Sequence, residues 1–158
     1  MFPGRLYETH LLVRNLEDSI EFYKKLGLKF AHKIEKRRVA FFWFQEEKEQ
    51  MLGLWEVSEK QWERRHFAFG VTYDEILTAI EWLLDREISP RESFGRQPLE
   101  PLVHTWMPAA FINFNDPDGN SLEFISVLED EPENMDYVPY LSEWKTLKAN
   151  GTTEVLKG

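Results

Sequence analysis

One pattern of elements occurs twice along this chain, and that internal repeat narrows the fold more than any other feature. Leu6–Val13 is a short, mostly apolar stretch of strand character. It ends at Arg14-Asn15, and Asn15 with Asp18 three residues on resembles a helix-capping pair. Leu16, Ile20, Tyr23 and Leu26 follow at helical spacing, with Gly27 where a glycine ends a helix. Three further strands are expected at Leu28–Ile34, Val39–Phe44 and Met51–Val57, so the first third reads β-α-β-β-β. The second copy opens with a strand at His66–Val71 and a T-x-x-E capping box, Thr72 with Glu75. Ile76, Ile80 and Leu83 or Leu84 give its apolar helix face. A short strand is expected near Ile88, and Ala110–Phe114 and Ser121–Val127 close the copy. Between these last two, Asn115-Asp116-Pro117-Asp118-Gly119-Asn120 has the composition of a tight hairpin loop.

Numbering offsets test the repeat. Adding 56 carries His10 to His66, Asp18 to Asp74 and Ile20 to Ile76. At the far end the offset is 70, which carries Leu52 to Leu122, Leu54 to Phe124 and Val57 to Val127. The second copy is therefore longer by 70 − 56 = 14 residues. The excess falls in Pro90–Pro108, a proline-rich stretch that reads as a long loop and candidate lid. After Val127 comes an acidic run, Glu129 to Asp136, read as a solvated connector. Leu141, Trp144 and Leu147 are spaced for one side of a short helix that packs on the domain or its partner, and the chain is expected to fray from Asn150. The expected organisation is one domain over 1–128, made of modules at about 5–58 and 64–128, with a tail at 129–158.

Composition excludes several classes. The formal charge of −9 argues against a nucleic-acid backbone as partner. The longest apolar run, Val39–Phe44, is far short of the roughly 20 residues needed to span a bilayer. The N-terminal Met1–Arg5 lacks the apolar core of a signal peptide, so a cytoplasmic protein is expected. With no cysteine, disulfides, thiolate nucleophiles and Cys-ligated metals drop out together.

Strand periodicity sorts the remaining chemistry by face. In His66–Val71 the bulky Phe67, Phe69 and Val71 share one side, leaving His66, Ala68 and Gly70 on the other. In the last strand Leu122 and Phe124 belong to the core, which puts Glu123 opposite. His10 is the repeat equivalent of His66. Two histidines and a carboxylate on three strand faces point to one cavity, and a buried carboxylate needs a partner there. A divalent cation satisfies that need, and without thiolates Mn²⁺, Fe²⁺, Ni²⁺ or Zn²⁺ suits the donors.

The sequence resembles the vicinal-oxygen-chelate superfamily of glyoxalase I, fosfomycin-resistance thiol transferases, extradiol dioxygenases, methylmalonyl-CoA epimerase and bleomycin-resistance proteins. The resemblance covers roughly Leu6 to Val127. It rests on Thr9-His10-Leu11-Leu12-Val13, on Leu16 to Tyr23 with Leu26-Gly27-Leu28, and on Phe114-Asn115-Asp116-Pro117-Asp118-Gly119-Asn120-Ser121-Leu122-Glu123-Phe124. It implies an α+β fold of paired βαβββ modules forming a half-open, barrel-like mixed sheet. It also implies metal ligands in the first, fifth and eighth strands, here His10, His66 and Glu123, and a homodimer. The fourth-strand glutamate of glyoxalase I is missing, because 123 − 70 = 53 and residue 53 is Gly53. Thiol transferases need cations to hold a phosphonate, and here only Arg91 and Arg96 of the long loop are available. Extradiol dioxygenases use an added acid/base histidine or tyrosine, a part His104 could fill beside Glu123. His32, beside Lys33, is expected on the surface. Trp55 and Trp106 supply aromatic walls suited to an apolar or aromatic small molecule.

Three readings follow. One is a metal-dependent lyase, isomerase or ring-cleaving dioxygenase. Another is a metal-free binding or antibiotic-resistance protein, or a fosfomycin thiol transferase. The last is a relative that keeps only the fold.

Overall fold

The computed structural model describes residues 2–155. Among the described residues, eight strands and three α-helices follow one another as β1 (Glu8–Val13), α1 (Leu16–Lys25), β2 (Lys29–Ile34), β3 (Val39–Trp43), β4 (Met51–Glu56), β5 (His66–Gly70), α2 (Tyr73–Leu84), β6 (Leu102–His104), β7 (Ala109–Asn115), β8 (Ser121–Val127) and α3 (Leu141–Val155). They form two four-stranded sheets, ordered β1-β4-β3-β2 and β5-β8-β7-β6, and neither closes on itself. Each βαβββ copy therefore builds a sheet of the same strand order, as the repeat requires. The chain divides into two compact units, Met1–His66 with Asn115–Ser121, and Phe67–Phe114 with Leu122–Gly158.

In the first unit β1 runs parallel to β4, which pairs antiparallel with β3. The alternation of β1, β3 and β4 puts Leu11, Val13, Ala40, Phe42, Leu52 and Leu54 on the core side, all nearly inaccessible to water. Leu16, Ile20 and Tyr23 of α1 are buried with them. Each such Val, Leu, Ile or Phe side chain contributes about 1.5–3 kcal/mol by leaving water. Helix α1 starts where the sequence says it should, since the Asn15 side chain accepts the Asp18 N–H at 3.0 Å. Gly27 follows the helix at φ +101°, a conformation that favours glycine. The loop 115–121 belongs to this unit through Asp116, Asp118 and Asn120. Tyr23 Oη donates to Asp116 at 3.0 Å, the Arg14 N–H to Asp118 at 2.9 Å, and Asn120 Nδ2 to the Leu12 carbonyl at 2.9 Å.

In the second unit the capping box of α2 is complete. The Glu75 N–H donates to Thr72 Oγ1, and the Thr72 N–H donates to the Glu75 carboxylate at 2.7 Å. Phe69, Trp82 and Phe114 all meet the Phe124 ring, with centroids 4.8–5.8 Å away. Two expectations are corrected here. No strand lies at Ile88; the missing strand is β6, inside the supposed lid. That segment is also tied down rather than free. Pro90 bridges to Phe114, Asn113 Nδ2 donates to Ser93 Oγ at 2.9 Å, and the Ser142 N–H donates to Glu100 at 2.7 Å.

The tail packs on this same unit. Leu141 and Trp144 are buried and Leu147 is partly exposed. The acidic connector does more than solvate, because Asp130 accepts the Trp144 indole N–H at 2.9 Å. Helix α3 continues past Asn150 to Val155, and positions 156–158 of the expected fray lie outside the described residues. No helix among the described residues is long and apolar enough to cross a membrane.

Candidate functional site

The face of the first sheet turned away from α1 carries His10. Across the strands His10 is level with Gly53, and Gly53 with Phe41. Because residue 53 has no side chain, the two rings approach over it, edge to face, with centroids 6.2 Å apart. Trp55, two residues along β4 and on the same side, donates its indole N–H to His10 Nδ1 at 2.5 Å. An indole nitrogen can only donate, so Nδ1 holds the lone pair and Nε2 holds the proton. That proton is given to Glu8 Oε1, 2.6 Å away on the same strand face. Glu8 escaped sequence reasoning. Its signal is the i, i+2 spacing to His10, which puts both side chains on one side of a strand.

His66 stands at the exposed start of β5. Its Nδ1 lies 3.0 Å from the Ser121 carbonyl oxygen and 3.2 Å from Ser121 Oγ. A carbonyl only accepts, so Nδ1 carries the hydrogen and Nε2 the lone pair. The backbone holds this geometry. The Ser121 N–H donates to the Arg65 carbonyl at 2.8 Å, and the Arg65 N–H to the Asn120 side chain at 3.0 Å.

In the second unit Glu123 is buried, 6% exposed, with His104 Nε2 at 3.2 Å from Oε1. His104 is not a loop residue, since it ends β6. Its ring stacks on Phe111, with centroids 3.8 Å apart and planes 8° apart, and Phe94 meets it edge on. Of the aromatic wall candidates, Trp106 is 74% exposed and Trp55 36%. Arg96 is engaged with the tail, paired to Glu143 at 3.0 Å and lying over the Tyr140 ring. The Arg91 N–H donates to the Asn113 carbonyl at 2.7 Å, and its guanidinium reaches the Glu92 carbonyl.

These side chains form three local sets: Glu8, His10 and Trp55; His66 with Ser121; and His104 with Glu123. No group of three or more His, Asp or Glu side chains among the described residues is gathered to hold a cation. The donor chemistry nevertheless fits a divalent transition metal, being imidazole nitrogen and carboxylate oxygen without thiolate. His66 has the arrangement usual for a ligand, one ring N–H tied to a carbonyl and the other nitrogen bearing the lone pair.

A family described as the Glyoxalase/Bleomycin resistance protein/Dioxygenase superfamily matches residues 5–124. Among solved structures, the chain is similar to an integron cassette protein from the mobile metagenome of a Halifax Harbour sewage outfall. That pair is 31% identical over 79% of this chain and 100% of the other, with a TM-score of 0.69. It is also similar in fold to lactoylglutathione lyase from Agrobacterium tumefaciens, 21% identical over 78% of this chain and 94% of that one, TM-score 0.60. A third likeness is to the fosfomycin resistance protein FosX from Listeria monocytogenes, solved with Mn(II) and sulfate. There the identity is 17% over 82% of this chain and 94% of that one, TM-score 0.59. No curated protein matches the sequence.

Proposed function

The chain belongs to the Glyoxalase/Bleomycin resistance protein/Dioxygenase superfamily, and on that premise we propose that it is a metal-dependent enzyme acting on a small, oxygen-chelating, apolar or aromatic substrate. The observation that carries this reading is the His66 ring, whose Nδ1–H is held by the Ser121 carbonyl so that Nε2 bears a lone pair. His10, His66 and Glu123 are the proposed ligands. A bound cation would supply Lewis-acid stabilisation of an enolate or oxyanion on the substrate, or activate O₂. His104, in contact with Glu123, is the proposed acid/base group. Trp55, Trp106, Arg91 and Arg96 are the proposed substrate-pocket residues, the two tryptophans as apolar walls. FosX, a similar fold, was solved with Mn(II), which supports the choice of cation class.

A second reading, a metal-free binding protein of the bleomycin-resistance kind, draws on the partners that His10 and Glu123 already have. Native mass spectrometry separates the two. The metal reading expects a cytoplasmic homodimer that carries about one divalent cation per chain. His10→Ala, His66→Ala and Glu123→Ala should each empty the site and leave the dimer in place. Cation-free wild type, or unchanged metal content in all three variants, would sink it.

A further inference from the structure

Resting on the reading of His104 as the acid/base group, we propose that Phe94 is the specificity residue of that site, its ring the wall against which a planar, apolar substrate lies. Ser93 and Arg96 exchange both of their backbone hydrogen bonds. The Ser93 N–H donates to the Arg96 carbonyl at 3.1 Å, and the Arg96 N–H to the Ser93 carbonyl at 2.9 Å. Phe94 and Gly95 are therefore the two central residues of a hairpin turn, at φ +52° and +72°. A turn with both central residues at positive φ takes Asn-Gly or Asp-Gly by preference, because those residues tolerate the left-handed region. A phenylalanine in the first position is an outlier, held against its own backbone preference. Such outliers persist where the surrounding structure over-determines them, and they concentrate at binding and catalytic sites.

Packing does not account for the choice. Phe94 is 64% exposed, so most of the apolar area that could offset the strain stays in water. What the ring touches is the stack at the end of β6. Its plane lies 89° from that of His104 and 84° from that of Phe111, with centroids 6.3 Å and 5.9 Å away. His104 and Phe111 lie face to face, and His104 Nε2 is 3.2 Å from the buried Glu123. The base of the turn is fixed. Ser93 is buried and its Oγ accepts from Asn113 Nδ2 at 2.9 Å, while Arg96 is paired with Glu143. An anchored hairpin thus holds an aromatic ring, open over most of its surface, against the edge of the acid/base stack. Aromatic rings gain from offset or edge-on contact with one another beyond the area they bury, a gain that an aliphatic ring does not give. Phe94 accordingly favours a flat ring over a puckered one.

Phenol and cyclohexanol are the probes, since they share ring size and one oxygen and differ in planarity. Each is titrated into protein carrying ¹³C in its histidine rings, and the His104 signals report binding at this site. Wild type should take phenol more tightly than cyclohexanol. Phe94→Asn should cut phenol affinity about 2- to 12-fold, the worth of one aromatic pair, and change cyclohexanol affinity less. The same variant should keep or raise the urea midpoint, because Asn-Gly suits the turn. Phe94→Leu keeps the apolar bulk and the strain, and should lose the preference for phenol without any gain in stability. A residue placed there for packing would behave otherwise, and a lowered urea midpoint in Phe94→Asn overturns the assignment. Equal wild-type affinity for the two probes overturns it too, as does phenol affinity unchanged in Phe94→Asn. Wild type whose His104 signals respond to neither probe overturns the reading of His104 as part of the substrate site, and this one with it.

Discussion

A methyl group added at Gly53 would stand 2.5 Å from His10 Nδ1 and 2.7 Å from Cε1, distances that real β-carbons do not keep. Replacing glycine by alanine inside a strand ordinarily gains about 0.5–1 kcal/mol from the unfolded chain's lost freedom. Here the ring must move instead, breaking its bond with Trp55. Overpacking of that kind costs typically about 1–3 kcal/mol. Gly53→Ala should therefore lower stability in urea unfolding and shift the tryptophan emission, and a gain in stability would show that His10 does not lean on residue 53. Sequence reasoning found Gly53 by subtraction, as a departure from a four-ligand pattern. What it could not find was the reason, because the ring filling the gap belongs to a strand 43 positions earlier that pairs in parallel register. Glu8 was missed for a related reason. At the end of a strand a lone glutamate reads as a surface charge, and only its 2.6 Å contact with His10 distinguishes it.

Local signals translated directly into elements. The Thr72–Glu75 box, the Asn15 cap and the glycine after α1 all depend on contacts within four residues, which a sequence displays in full. Strand β6 went unread for the opposite reason. It has only three residues, too few to show a period, and its place is decided by pairing with Ala109–Phe111. The D-P-D-G-N loop is the intermediate case. Its turn was legible, with Gly119 at φ +93°, but the partners of its side chains were not. Asp116 alone accepts from Tyr23, from the Asp118 N–H and from the Asn120 N–H and Nδ2. In the turn between β2 and β3, Arg38 sits at φ +54° and gathers the carboxylates of Glu17, Glu35 and Glu56. Hydrogen bonds from Arg38 and then Lys33 hold the Glu17 carboxyl down at about 2, and Glu56 and Glu35 are also lowered. A carboxylate with a depressed folded pKa contributes stability above its unfolded value, and that stability is lost as pH falls through the folded value. Wild type should thus lose stability between pH about 4.5 and about 2, with Arg38→Gln losing less over the same span. Thermal unfolding at low ionic strength reads the difference. Salt should shrink it, since the network lies at the surface, and equal slopes in both proteins would rule the network out as a source of acid sensitivity.

At the scale of the molecule, an open sheet must protect its outer strands, whose unpaired N–H and C=O groups invite other chains. The two sheets solve this differently. At the edge of the first, β2 carries a register irregularity between Phe30 and His32 and presents Lys29 and Lys33. Bulges and lysines are ordinary devices against edge pairing. At the edge of the second, β6 is Leu-Val-His, short and without a charge that would repel a partner. The tail covers it instead. The Val103 N–H donates to the Pro139 carbonyl at 2.9 Å, the Leu141 N–H to the Pro101 carbonyl at 2.8 Å, and Tyr140 bridges to Leu102. Trp144, 1% exposed, and Leu141 anchor the cover, and Arg96 and Glu100 clasp it from the other side through Glu143 and Ser142. Repeat logic could not foresee this, because the first module has no counterpart of the tail and the family match stops at residue 124. A chain ending at Leu128 should therefore keep its first sheet and present β6 as an exposed apolar edge. The expected result is aggregation at concentrations where the full chain stays dispersed, measured by static light scattering. Trp144→Ala should move partway in the same direction, with a loss of about 3–5 kcal/mol in urea unfolding. If the shortened chain stays dispersed, edge protection is not what the tail provides.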